Sequence, residues 1–167
     1  MSAIICILGP LALNIPFSPV PISLGTLAIY FVVSVLGMKL GTISVIIYIL
    51  LGLAGVPVFA GFTAGPGKLL GPTGGYIIGY LFMVLICGFF VDKFGRKLPL
   101  NILGMVLGTA VCYLFGTLWL GYQLELTFLQ ALSAGVIPYI PGDAVKLAIA
   151  MTVGIQVRKR LVKANLI

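Results

Sequence analysis

Asp143 and Lys146 are the charged pair best placed to do chemistry in this chain, three residues apart in Pro141–Gly142–Asp143–Ala144–Val145–Lys146. Pro141–Gly142 marks a helix start, and the spacing puts both side chains on one face, with Ala150 continuing the line. Asp143 suits an N-cap, where it would satisfy free backbone amides, and it equally suits a ligand contact. Lys146 has no such local use. A cation in the first helical turn opposes the helix dipole and calls for an anion, either Asp143 or a ligand carboxylate. A second cluster is Gly55–Gly61 followed by Lys68–Tyr76, a Gly/Pro-rich connection leading into a helix. A turn is its plain reading, yet Gly74 and Gly75 at a helix entrance also let backbone approach a ligand. Thr73 offers a hydroxyl, Phe59, Phe62 and Tyr76 offer aromatic walls, and Tyr139 precedes the charged pair. Together these residues describe a pocket for a small, partly apolar anion.

Other chemistries lack their residues. The chain has no histidine, and Cys6, Cys87 and Cys112 are isolated in apolar stretches, so metal, haem and Cys–His catalysis find no ligand set. These cysteines read as small hydrophobes. Gly61–Lys68 (GFTAGPGK) glances at a phosphate-binding loop, but Phe62 stands where a glycine is needed and Leu69 where Ser or Thr is needed. A paired-carboxylate protease is excluded because Asp92 and Asp143 are expected at opposite membrane surfaces. No enzyme and no cofactor is expected.

The elements that must position the pocket follow from composition. Of 167 residues, 61% are hydrophobic and 8% charged, against about 25% charged in soluble domains, and mean hydropathy is +1.26. A soluble domain and a disordered chain are both excluded. A bilayer core of about 30 Å takes roughly 20 helical residues per crossing, which allows six spans. Breaks at Pro, Gly and charge clusters place them at residues 3–13, 22–37, 40–54, 71–91, 100–121 and 143–161, the third able to run to Phe59. Continuous runs such as Val45–Leu53 and Ile77–Val91 exclude the alternation of a β-barrel. Met1–Ser2–Ala3 lacks the positive charge of a signal peptide, so the first apolar run is read as a helix. A further short amphipathic helix is expected within Leu124–Tyr139. Small residues four apart, Gly37/Gly41, Gly71/Gly75/Gly79, Gly104/Gly108, Ala144/Ala148 and Ala150/Gly154, suit close helix packing inside the bundle or against a partner.

Six spans put Lys39, Lys93, Arg96, Lys97, Arg158, Lys159, Arg160 and Lys163 on one side and Lys68 on the other. The positive-inside rule then sends both termini to the cytoplasm and both pocket clusters outside. The +7 charge is thereby a topology signal, and nucleic acid is not expected as a partner. The rival reading of Arg158–Lys163 is a polybasic lipid- or nucleic-acid-binding tail.

GLAGVPVF (Gly52–Phe59), LLGPTGGYIIGY (Leu69–Tyr80) and IPYIPGDAVKLAIA (Ile137–Ala150), preceded by PVPISL (Pro19–Leu24), closely resemble the BioY family, and in the expected order over nearly the whole chain. These are biotin-specific S components of energy-coupling factor (ECF) transporters. The resemblance implies an all-α, six-transmembrane-helix bundle of the S-component type in the bacterial plasma membrane. Such a subunit binds biotin and delivers it by associating with a transmembrane coupling protein and two ATPases. On that reading Lys146 attracts the biotin carboxylate, with Lys68 as the alternative. Asp143 accepts a ureido N–H or fixes Lys146, and Tyr76 and Phe59 pack the bicycle. The chain departs from the family in carrying Gly25 where members usually have Gln. It also has few small residues in its first helix, Ala3 and Gly9 not being four apart, which argues against docking through that helix. Three functions compete: an S component for another vitamin, a stand-alone secondary transporter, and a structural membrane subunit.

Overall fold

Where the chain meets proline and glycine, the apolar runs resolve into helices. The computed structural model describes residues 1–13, 16, 18–95 and 97–164. Arg96 and the side chain of Lys159, both counted on the basic side, lie outside the described residues. The elements run α1 (Ser2–Leu8), β1 (Ala12–Leu13), β2 (Ile22–Ser23), α2 (Gly25–Leu53), α3 (Pro66–Leu70), α4 (Gly74–Phe94), α5 (Leu98–Leu124), α6 (Phe128–Gly135), a 3₁₀ turn (Ile137–Tyr139) and α7 (Ile140–Lys163).

The first helix is shorter than expected. It stops at Leu8 rather than Leu13, because Pro10 has no N–H to continue the ladder, and Ala12–Leu13 instead pair antiparallel with Ile22–Ser23. The second helix accordingly begins at Gly25, not Ile22. At about 1.5 Å per residue α1 is roughly 10 Å long, too short to cross alone. It packs on α2 through the fully buried Ile5.

α2 is one hydrogen-bonded run only in name. Gly37 has φ 76° and ψ −163°, a conformation that L-residues with a side chain avoid, and the chain folds back there. An added Cβ on Gly41 would lie 3.8 Å from the Val33 Cα. In an unbroken helix the two backbones would stand about 12 Å apart, so residues 25–36 and 38–53 are two antiparallel arms. The two expected spans there are these arms, and the second ends at Leu53. Counting the arms separately, six membrane helices result: α1, the two arms of α2, α4, α5 and α7. Among the described residues α4, α5 and the run from α6 through α7 are each long and apolar enough to cross a membrane, whereas Gly25–Leu53 reaches that length only as a whole and each of its arms is shorter.

Glycines set the spacing between these helices. On α4 and α5, Gly75 faces Trp119, Gly79 faces Cys112, and Cys87 and Phe90 face Gly108 and Gly104, an antiparallel match along nearly the full length. The second arm of α2 meets α4 through Gly41 on Val84 and Gly88 on Met38, while Gly154 of α7 lies on Ser34 of the first arm. A stripe of small residues lets backbones approach closely where lipid offers no hydrophobic drive to associate. Ala144 and Ala148 stay exposed. Between the helices Tyr30, Ile29, Val33, Met83, Val84 and Met105 form the core, and Leu103, Val106, Leu107, Leu114 and Leu118 of α5 face outward.

Candidate ligand-binding site

Three loops and four helix ends meet at one end of the bundle. α6 begins with a capping box, the Thr127 hydroxyl accepting from the Gln130 N–H and Gln130 Oε1 accepting from the Thr127 N–H, and this fixes the turn that delivers Tyr139 and α7. α7 starts at Ile140, three residues earlier than expected, because prolines at its entrance suit the first turn. Asp143 is therefore inside the helix, and it does not act as an N-cap.

What Asp143 does instead is hold three elements together. Its Oδ1 accepts from the Lys146 ammonium at 2.7 Å and from the Thr26 hydroxyl at 3.1 Å, and its Oδ2 accepts from the Tyr113 hydroxyl at 2.6 Å. Lys146 donates further to the Ser23 carbonyl at 2.7 Å and to Thr26 Oγ1 at 3.2 Å. Asp143 is 6% exposed and Lys146 8%, so the pair is buried and mutually neutralised. An ammonium has three N–H bonds, and all three are used; a carboxylate has about four acceptor sites, and one of the Asp143 sites is free.

Above this floor the walls are aromatic. Tyr76 donates to the Gly135 carbonyl at 2.9 Å and packs its ring over Gly116, the Tyr139 hydroxyl bonds to Ser18 at 2.6 Å and to the Val20 carbonyl, and both residues line the cavity. Tyr48, Tyr80 and Cys112 complete the apolar lining. Two polar groups here are unanswered. The Thr73 hydroxyl is buried and has no partner among the described residues. Lys68, half-buried in α3, also lines the cavity and forms no ion pair among the described residues, and burial pushes its pKa down.

Of the residues singled out from sequence, Asp143, Lys146, Lys68, Thr73, Tyr76 and Tyr139 line this one cavity. Three do not. Phe59 is fully buried in the core, edge-on to Tyr48 at 5.6 Å and filling the gap over Gly52, so it cannot pack a ligand. Gly74 gives room to the Leu69 carbonyl and Gly75 to Trp119. Their loop is pinned by α5 through Trp119 Nε1 on the Gly71 carbonyl at 2.9 Å and Gln123 on the Leu70 carbonyl at 2.6 Å. Thr26 and Tyr113 carry the one signal that sequence offers for them, a hydroxyl inside an otherwise apolar span, which must find a partner or a cavity, whereas Ser23 contributes its backbone carbonyl, which no side chain announces.

The comparisons agree on one family. The BioY family model matches residues 1–163. The chain belongs to the BioY family. Biotin transporter BioY of Thermotoga maritima is 33% identical over 88% of this chain and 86% of its own length, and that of Lactococcus lactis 36% identical over 96% and 87%. A probable biotin transporter BioY of Pyrococcus horikoshii is 40% identical over 84% and 82%. A solved crystal structure, the S component for biotin from an ECF-type ABC transporter, superposes with TM-score 0.87 at 35% identity, covering 95% of this chain and 86% of that one. The six-helix bundle is thus the S-component fold.

Proposed function

We propose that this membrane protein binds biotin in the cavity above Asp143 and Lys146 and serves biotin uptake as the S component of an ECF-type transporter. Its partners are then a transmembrane coupling protein and two ATPases that supply the energy. The protein carries the substrate and catalyses no reaction itself. The basic end, where Arg158, Arg160 and Lys163 gather, faces the cytoplasm on this reading, and the cavity faces outside.

The observation that carries the site assignment is the set of unanswered groups in one cavity: a free Asp143 acceptor site, the Thr73 hydroxyl and the Lys68 ammonium. Biotin has matching parts. A ureido N–H suits Asp143, the bicycle suits Tyr76 and Tyr139, and the carboxylate suits Lys68. Lys146 is the weaker choice for the carboxylate, because Asp143 already neutralises it and its three N–H bonds are taken. The cavity measures only about 60 Å3, against roughly 300–1,000 Å3 for sites of drug-sized ligands. Binding therefore requires the walls to part, and part of the lining comes from loops, at Pro21 and Ala60, and from the short helix α3, at Lys68.

Calorimetry on the chain purified without biotin tests this, with thiamine and riboflavin as controls. Saturable binding of biotin alone is expected. Binding of another vitamin by a folded sample that ignores biotin would overturn the substrate while leaving the family intact.

A further inference from the structure

A second cavity, of about 650 Å3, opens at the opposite end of the bundle, between Ser34 on the first arm of α2, the end of α4, the start of α5 and the last turns of α7. Among the described residues three cations line it, Arg158, Arg160 and Lys163, against one carboxylate, Asp92. Asp92 is already committed. Its Oδ2 accepts from the Met38 N–H at 2.8 Å, capping the second arm of α2, and its Oδ1 lies 3.7 Å from Arg158 Nη2. That distance is too long for a hydrogen bond.

Two other groups are left without answers. Arg158 Nη1 is buried and has no hydrogen-bond partner among the described residues. Asn101, 3% exposed, donates Nδ2 to the Gly95 carbonyl at 2.8 Å and leaves Oδ1 buried and unpaired among the described residues. Both residues line the same cavity. A buried donor or acceptor without a partner costs free energy, and here one of each sits in a region of surplus positive charge. A ligand that answers all three demands has an anionic oxygen for the guanidinium and an O–H or N–H for the amide oxygen.

Phosphate is the anion whose oxygens best match an arginine fork, and basic pockets between membrane helices at this depth take lipid headgroups. We propose that this cavity binds a phosphate group carrying a hydrogen-bond donor, the chemistry shared by a glycerol-type anionic phospholipid headgroup and by soluble hydrogen phosphate. The phosphate oxygens engage Arg158, with Arg160 and Lys163 supplying charge, and the hydroxyl donates to Asn101 Oδ1. The bound group ties α5 to α7 across a gap that the described residues leave open.

Native mass spectrometry and thermal unfolding of the full chain in detergent separate the two sources. The probes are phosphatidylglycerol, phosphatidylcholine, whose headgroup has phosphate but no donor and no net charge, and inorganic phosphate. Phosphatidylglycerol is expected to bind at least tenfold more tightly than phosphatidylcholine and to raise the unfolding temperature. Arg158→Gln should lose that preference, Arg158→Lys should regain part of it, and Arg160→Gln, at the exposed rim, should weaken it by a smaller factor. Stabilisation by millimolar inorganic phosphate and none by phosphatidylglycerol, with the same Arg158 dependence, assigns the site to the soluble source. Equal binding of both lipids with no effect of phosphate, or a preference unchanged in both Arg158→Gln and Arg160→Gln, overturns the proposal. Retained biotin binding shows that a variant is folded, and this control is read apart from the lipid result.

Discussion

The two ends of the bundle each hold a carboxylate and a cation from the same class of pair, and they solve the pairing differently. At the cavity end Asp143 and Lys146 meet at 2.7 Å, and Thr26, Tyr113 and the Ser23 carbonyl take up most of their remaining capacity. At the basic end Asp92 and Arg158 stand 3.7 Å apart with side chains 45% and 35% exposed. A pair removed from water must be close and fully hydrogen-bonded, because desolvation is otherwise uncompensated, whereas a pair at the surface leaves the balance to solvent. The first arrangement builds a rigid floor under a cavity. The second leaves an arginine free to accept another anion.

Removing one partner of the buried pair should break this contrast most visibly. Asp143→Ala strands the Lys146 charge, and a loss of about 3–5 kcal/mol in folding stability is expected, read as a fall in unfolding temperature in detergent. Asp143→Leu combined with Lys146→Met should recover most of that stability while leaving biotin binding impaired. If the double variant proves no more stable than Asp143→Ala, the cost lies in lost packing and not in the stranded charge.

Lys68 sharpens the comparison, since it lines the same cavity as Lys146 without a carboxylate beside it. Lys68→Ala should weaken biotin binding about tenfold or more, the loss of a charged hydrogen bond of about 1.5–3 kcal/mol, with unfolding temperature unchanged. Reduced binding in a folded Lys146→Ala protein together with normal binding in Lys68→Ala would reverse the assignment. Burial lowers the Lys68 pKa below the usual lysine value, so its charge is lost earlier as pH rises. Biotin affinity should accordingly fall on the alkaline side before ordinary lysines titrate, and Lys68→Arg should abolish that fall.

The smallest effect belongs to the half-exposed pair. Asp92→Asn keeps an acceptor for the Met38 N–H and removes only the attraction to Arg158, so a stability change within about 1 kcal/mol is expected. A larger loss, measured by the same unfolding experiment, would mean that the Gly37 turn depends on the Asp92 charge.

Much of the fold was legible because its signals are local. Gly37 interrupts an apolar run and does reverse the chain, and the short helix expected within Leu124–Tyr139 is α6. The apolar run to Leu13 overstates α1, because the missing N–H of Pro10 breaks the ladder wherever it falls in a helix interior. The site was legible where its residues sit close together in sequence, as in Lys68–Tyr76 and Pro141–Lys146. It was not legible at Phe59, since a ring that fills the space over Gly52 and one that faces a ligand look alike in sequence.

The sequence by itself determined the membrane class, a bundle of about six helices, the concentration of basic charge at one end and the shared face of Asp143 and Lys146. These depend on composition, on span length and on a three-residue spacing, none of which needs a neighbour. Only the tertiary structure decided that Thr26 and Tyr113 close around Asp143 from 117 and 30 residues away, that Gly75 makes room for Trp119, and that Arg158 keeps a buried N–H unpaired. The reason is that helices apolar on every side carry no sequence mark of which face meets lipid and which meets protein. Close approach at glycines, and the need of each buried polar group for a partner, make that choice when the helices pack.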